Sequence, residues 1–213
     1  MTLKITLKEI EAIVPSGTKI LAVSKGQSVN AIRDLALEGH YAFGESKLQE
    51  ALLKINHLKE FQEIQWHFIG KVQSNKVRQI VCNFDFIHSA DSLKLIERIS
   101  RIAAEEGKTP NLMAQVKFRP DENKSGFLEK DLISVWNQLI VLPNINIIGL
   151  MTILPFNLPL AERAIVFKEC RDLADKLNLT HCSMGMSRDW KEALAAGSTW
   201  LRLGSALFGK REQ

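Results

Sequence analysis

The hydrophobic positions of the chain follow two alternating rhythms. Short, nearly continuous apolar runs alternate with longer stretches in which apolar residues return every three or four positions. The runs are "ILAVS" (20–24), "YAFG" (41–44), "IQWHFIG" (64–70), "FDFIHS" (84–89), "LMAQVKF" (112–118), "INIIGLMTI" (145–153), "HCSMGM" (181–186) and "WLRLG" (200–204). Each is too short for a helix and rich in branched or aromatic side chains, which predicts strands buried on both faces. The stretches between them predict helices over 29–38, 45–58, 71–81, 92–106, 127–141, 159–177 and 188–197. Several carry start and stop signals. Ser28 and Asp91 stand where N-caps belong, Asn157 and Pro159 open the longest helix, and Gly39, Gly107 and Gly197 stand where helices end.

Eight strands joined by helices call for a parallel sheet covered on both sides, and the closed (β/α)8 barrel is its most economical form. A further helix over about residues 3–13 precedes the first strand and is placed to cover the barrel bottom. A doubly wound open sheet fits less well, because no G-x-G-x-x-G follows the first strand. No proline- or glycine-rich linker divides the chain, so residues 1–213 are read as one barrel domain.

Composition narrows the function. The chain has 213 residues, 46% hydrophobic and 24% charged, an ordinary globular balance. Its net charge is +4 and its pI about 9.0, with the basic residues spread out. Such a surplus suits a phosphorylated small molecule. The basic stretch "GKVQSNKVRQ" has no interleaved aromatics for base stacking, so no nucleic-acid partner is expected. The cysteines, Cys82, Cys170 and Cys182, are odd in number and lack metal-ligand spacing. They read as small buried thiols in a reducing compartment. Lys4, Lys8, Glu9 and Glu11 interrupt the N-terminal apolar residues, and no run is long enough for a signal or membrane segment. A cytoplasmic protein without membrane contact is expected.

The candidate chemistry begins with "KILAVSKGQS" (19–28), where an apolar strand ends in Lys25. In (β/α)8 barrels, active sites lie at the C-terminal strand ends. A lysine there is either a solvated strand end or an amine for imine chemistry. The loops after the last two strands, "GMSRD" and "RLGSALFG", bring Ser187, Gly204 and Ser205 to the place where such barrels hold phosphate. A strand-end lysine beside a phosphate cup suggests pyridoxal phosphate (PLP).

The segments "AVSK" (22–25), "FGES" (43–46), "WHFIGKVQSNK" (66–76), "DENKSGF" (121–127), "IGLMTI" (148–153), "SMGMSRD" (183–189) and "LRLGSALFG" (201–209) occur in this order. Together they resemble the PLP homeostasis protein family, single-domain relatives of the N-terminal barrel of alanine racemase. The resemblance spans nearly the whole chain. It implies that Lys25 holds PLP as an internal aldimine and that Arg202 faces the pyridine nitrogen. It also implies that Ser187, Gly204 and Ser205, with Ser183 as a further candidate, cradle the phosphate. Ser46, His67 and Met151 complete the candidate cofactor-contacting set. His67 reads equally as a hydrogen-bonded core residue, Met151 as barrel filling, and the family-like Lys124 as a solvated loop lysine. The family usually reads "FGEN" followed by an aromatic, where this chain has Ser46 and Lys47, and a leucine where it has Val72. The implied role is balancing intracellular PLP and related B6 vitamers, as a monomer and without efficient turnover.

Two other functions compete. A slow amino-acid racemase would want a second base opposite the lysine, supplied in alanine racemase by a C-terminal domain. Only Lys210, Arg211, Glu212 and Gln213 follow "ALFG", so that domain is expected to be absent. An arginine at the ring nitrogen would also leave the ring unprotonated and a poorer electron sink. The remaining alternative is a PLP-free barrel for another phosphorylated metabolite, with Lys25 as counter-charge.

Overall fold

The computed structural model describes residues 6–209. Its strands are β1 (Lys19–Val23), β2 (Ala42–Glu45), β3 (Gln65–Phe68), β4 (Phe86–Ala90), β5 (Asn111–Lys117), β6 (Phe127–Leu128), β7 (Asn146–Met151), β8 (His181–Met186) and β9 (Trp200–Leu203). All but β6 join in one parallel ring, closed where β1 pairs with β9 and β4 with β5. At the first of these seams Leu21 stands opposite Arg202. The helices are α1 (Leu7–Glu11), α2 (Val29–Leu37), α3 (Leu48–His57), α4 (Val77–Asn83), α5 (Leu93–Glu106), α6 (Glu129–Leu139), α7 (Leu160–Lys176), α8 (Trp190–Ala195) and α9 (Ser205–Phe208). The expected (β/α)8 barrel is therefore the fold.

Strand periodicity sorts the apolar side chains into two cores. Leu21, Met113, Met151 and Trp200, from β1, β5, β7 and β9, form a compact cluster within the ring. The larger core lies between ring and helices, where Phe43, Ile80, Ile87, Ile96, Ile99 and Phe167 are almost fully buried. Helix ends follow the local signals at several places. Ser28 Oγ accepts a hydrogen bond from the Ala31 N–H at 3.2 Å, and Gly107 ends α5 in the left-handed conformation.

The elements differ from the sequence expectation at four places. Ser92, rather than Asp91, is the N-cap of α5, and the Asp91 carboxylate is engaged by the Ser92 hydroxyl. The expected helix over 71–81 starts late: a 3-10 turn covers Ser74–Lys76 and α4 begins at Val77. Ser74 and Asn75 favour such turns over regular helix. The helix expected from residue 45 begins at Leu48, because β2 runs through Glu45. Phe127 and Leu128 pair with Val116 and Lys117 as a short ninth strand before α6.

Within the expected N-terminal helix, α1 covers Leu7–Glu11, and residues 3–5 lie outside the described residues. Leu7 and Ile10 join the outer core. The segment after α1 lines a cleft with Lys19, Tyr41 and Gln65, at the N-terminal strand ends. No helix of the described residues is long and apolar enough to cross a membrane.

Candidate functional site

A cavity of about 480 Å³ opens at the C-terminal strand ends. Its floor and walls include Val23, Ile69 and Ile153, while Lys25, Arg202, Gly204, Ser205, Ser187 and Lys124 supply its chemistry. The closed ring brings the first and last strands together, so residues almost the full chain apart share one cavity.

Lys25 lies two residues beyond β1, and Gly26 then turns the chain with φ 73°, a conformation that costs glycine little. Both backbone neighbours of Lys25 are gripped from below. Lys54 Nζ, on α3, donates to the Ser24 carbonyl at 2.7 Å, to Glu45 Oε1 at 2.7 Å and to Glu50 Oε1 at 2.6 Å. The Ser24 hydroxyl donates to Glu45 Oε1 at 2.7 Å, and the Gly26 N–H donates to Glu50 Oε1 at 2.5 Å. Lys54 is 4% exposed and Glu45 fully buried. Loss of water pushes the Glu45 carboxyl up, although Lys54 and Ser24 oppose the shift.

Arg202 rises from inside β9. Its guanidinium donates through one terminal nitrogen to the Ser183 carbonyl at 2.5 Å and Ser183 Oγ at 2.9 Å. The other terminal nitrogen donates to the Thr152 carbonyl at 2.8 Å. Burial pushes its pKa down to about 10, which leaves it charged near neutral pH. The Asp189 carboxylate, raised by its own burial, accepts from the Met186 N–H at 2.6 Å and shapes the loop that presents Ser187. Ser187 Oγ accepts from the Ala206 N–H at 3.2 Å, tying that loop to α9. Lys124 donates to Asp121 Oδ2 at 2.7 Å and to the Leu154 carbonyl at 2.8 Å, which holds it on the cavity wall.

Four sequence candidates stand apart from this lining. Ser183 is fully buried beneath Arg202, Met151 belongs to the inner apolar cluster, and Ser46 lies beyond β2. His67 is buried within the ring, stacked on Phe86 with ring centroids 4.2 Å apart. Its Nδ1 lies 2.9 Å from His88 Nε2, and His88 Nδ1 lies 2.8 Å from Ser183 Oγ. A buried polar chain thus runs from Arg202 through Ser183 and His88 to His67. Loss of water lowers both imidazoles, His88 to about 3, so both are neutral.

Sequence reasoning missed the contacts of Glu45, Glu50 and Lys54 with the residues flanking Lys25. Glu45 stands in the quoted "FGES", and Glu50 and Lys54 have the four-residue helical spacing that places them side by side. It also missed the outer rim of Phe156, Arg163, Met186 and Arg188.

The closed parallel barrel places the chain in the alanine racemase class of barrel. The chain matches the alanine racemase N-terminal domain over residues 2–212. Within that class, it belongs to the pyridoxal phosphate homeostasis protein family. It is 46% identical over 209 residues to the pyridoxal phosphate homeostasis protein of a Synechocystis species, covering 95% of this chain and 96% of that one. Among solved structures, PipY of Synechococcus elongatus, with PLP bound, superposes with a TM-score of 0.92 at 42% identity, covering 95% of this chain and 98% of PipY. An alanine racemase of Clostridium difficile shares the fold at a TM-score of 0.77 and 15% identity, covering 97% of this chain and 56% of the racemase.

Proposed function

We propose that this protein binds PLP at the C-terminal mouth of its barrel, covalently through Lys25, and serves PLP homeostasis with little turnover of its own. The observation that carries the reading is the meeting of Lys25, Arg202, Ser187, Gly204 and Ser205 on one cavity. This donor set fits the group: an amine for an aldehyde, hydroxyls for a phosphate, and a fixed cation for a ring nitrogen. When bound, PLP supplies an aldehyde carbon that condenses with a primary amine, releasing water, and a ring that withdraws electrons.

The chain's own residues set the rest. Arg202 holds its positive charge against the floor, with both terminal nitrogens engaged by Ser183 and Thr152. A group that keeps its proton cannot hand it to a ring nitrogen, which restrains carbanion chemistry. Ser187, Gly204 and Ser205 draw the phosphate to the wall beside the seam. Ser183, His88 and His67 act from beneath by orienting Arg202, while Met151 fills the barrel below. Tyr41, the chain's one tyrosine, lies at the opposite end of the barrel and offers no second base here. A carrier follows from this arrangement more directly than a racemase. We read residues 1–213 as one domain, working as a cytoplasmic monomer on PLP and related vitamers without a nucleic-acid or membrane partner.

The test is the colour of the purified protein and the position of a borohydride-fixed label. Visible absorbance that disappears on reduction, with the label mapped to Lys25, is expected. Labelling mainly at Lys124, or no visible band after incubation with PLP, would overturn the assignment.

A further inference from the structure

We propose that Lys54, Glu45 and Glu50 are positioning residues for Lys25, a buried ionic clamp that aims its amine by fixing the backbone on either side. The proposal rests on the reading of Lys25 as the attachment point.

The geometry is specific. Lys54 has three donor hydrogens and three acceptors within 2.7 Å: the Ser24 carbonyl, Glu45 Oε1 and Glu50 Oε1. The first belongs to the residue before Lys25. The third also receives the N–H of Gly26, the residue after it. The Ser24 side chain is tied into the same group through Glu45. One ammonium therefore joins both flanks of Lys25 to β2 and α3.

Stability alone does not explain such an arrangement. Buried ion pairs lose solvation that their attraction roughly offsets, so apolar packing of similar volume would serve the core as well. Glu45 Oε2 is also buried without a hydrogen-bond partner, a further cost at this position. What an ionic clamp supplies and apolar packing does not is direction. The turn at Gly26 is conformationally permissive, and a lysine side chain has many rotamers. Fixing the flanking peptide units narrows where the amine can reach, which matters for a reaction with strict approach geometry.

The experiment separates reach from binding with two ligands. PLP can be joined to Lys25, whereas pyridoxine 5′-phosphate has an alcohol in place of the aldehyde and can only sit in the cavity. Glu50 is the residue to change, because its side chain is partly exposed and its loss spares the core. Glu50→Ala removes the acceptor from both Gly26 and Lys54, while Glu50→Gln keeps an acceptor oxygen. We expect Glu50→Ala to slow borohydride-trapped labelling of Lys25 about tenfold, with pyridoxine 5′-phosphate affinity within about twofold of the unmodified protein. Glu50→Gln should recover most of the rate. Unchanged labelling in Glu50→Ala would overturn the clamp. So would a parallel loss of pyridoxine 5′-phosphate affinity, or Glu50→Gln failing as badly as Glu50→Ala. The unmodified protein distinguishes the two readings: if it takes no label at Lys25, the attachment assignment falls and the clamp's role falls with it.

Discussion

At the residue scale, the proposed covalent and non-covalent contributions to PLP binding are separable. Lys25→Ala removes the joining amine but leaves Arg202, Ser187, Gly204 and Ser205, so a non-covalent PLP complex should survive gel filtration at raised PLP. Because Lys25 lies beyond its strand, Lys25→Ala should keep the fold, checked by circular dichroism. Ser187→Ala removes one hydroxyl near a charged group, worth about 1–3 kcal/mol, and PLP titration should show affinity falling accordingly. Gly204→Asp should abolish binding, because a carboxylate would enter an anion's place. Wild-type affinity in Gly204→Asp, with none in Lys25→Ala, would relocate the phosphate. Arg202→Glu is expected to act first on folding. It would set a buried carboxylate against the Ser183 and Thr152 carbonyls, a loss of about 3–5 kcal/mol visible in urea denaturation. Lys25 and the small residues of the last loops were legible as cavity lining because strand ends in a closed barrel gather at one mouth. The depth of Ser183 and His67 was not. Alternation along a strand gives the face a side chain takes, but only the tilt and register of neighbouring strands decide how far below the mouth it lies.

Elements carry the site through close approaches. Gly185, in β8, has φ 89°, and a side-chain carbon there would come within 2.5 Å of the Ala193 side chain on α8. Gly185→Ala should therefore push α8 away from β8 and disturb the Ser187 loop between them. Thermal melting should show a loss of about 1–3 kcal/mol, accompanied by weaker PLP binding. Survival of both would mean that the helix slides without cost. Most element boundaries were legible because strands and helices here have distinct hydrophobic periods. The failures share one cause, competition from short-range or pairing contacts that periodicity does not register. Phe127 and Leu128 are held as strand by Val116 and Lys117, ten residues upstream or more. Glu45 and Lys54 find each other only when α3 packs beneath the β1 turn, so their partnership has no signature beyond two charged residues in apolar surroundings.

For the whole molecule, the buried histidines set an acid limit. An unfolded histidine titrates near 6.5, whereas native His88 is held to about 3 and His67 is lowered as well. For His88, between those values the unfolded state binds a proton and the native state does not. Stability is therefore fully present above the unfolded pKa and falls as pH drops through this window, by about 1.4 kcal/mol per pH unit for His88, with His67 acting in the same direction. Urea unfolding at pH 7 and pH 5 should show this slope, and His88→Gln should reduce it. An equal slope in that variant would place the acid sensitivity elsewhere.

The seam between β1 and β9 has a consequence in time. Lys25 follows the first strand of the ring, whereas Ser187, Arg202, Gly204 and Ser205 come from the last two strands and their loops, so neither half of the chain carries the whole cavity. A nascent chain halted before Trp200 should therefore take up no PLP, however well its earlier strands have paired. Once the ring has closed, PLP held as proposed would touch both sides of the join and should act as a latch across it. Ligand and architecture would then favour the same event, the meeting of the first strand with the last.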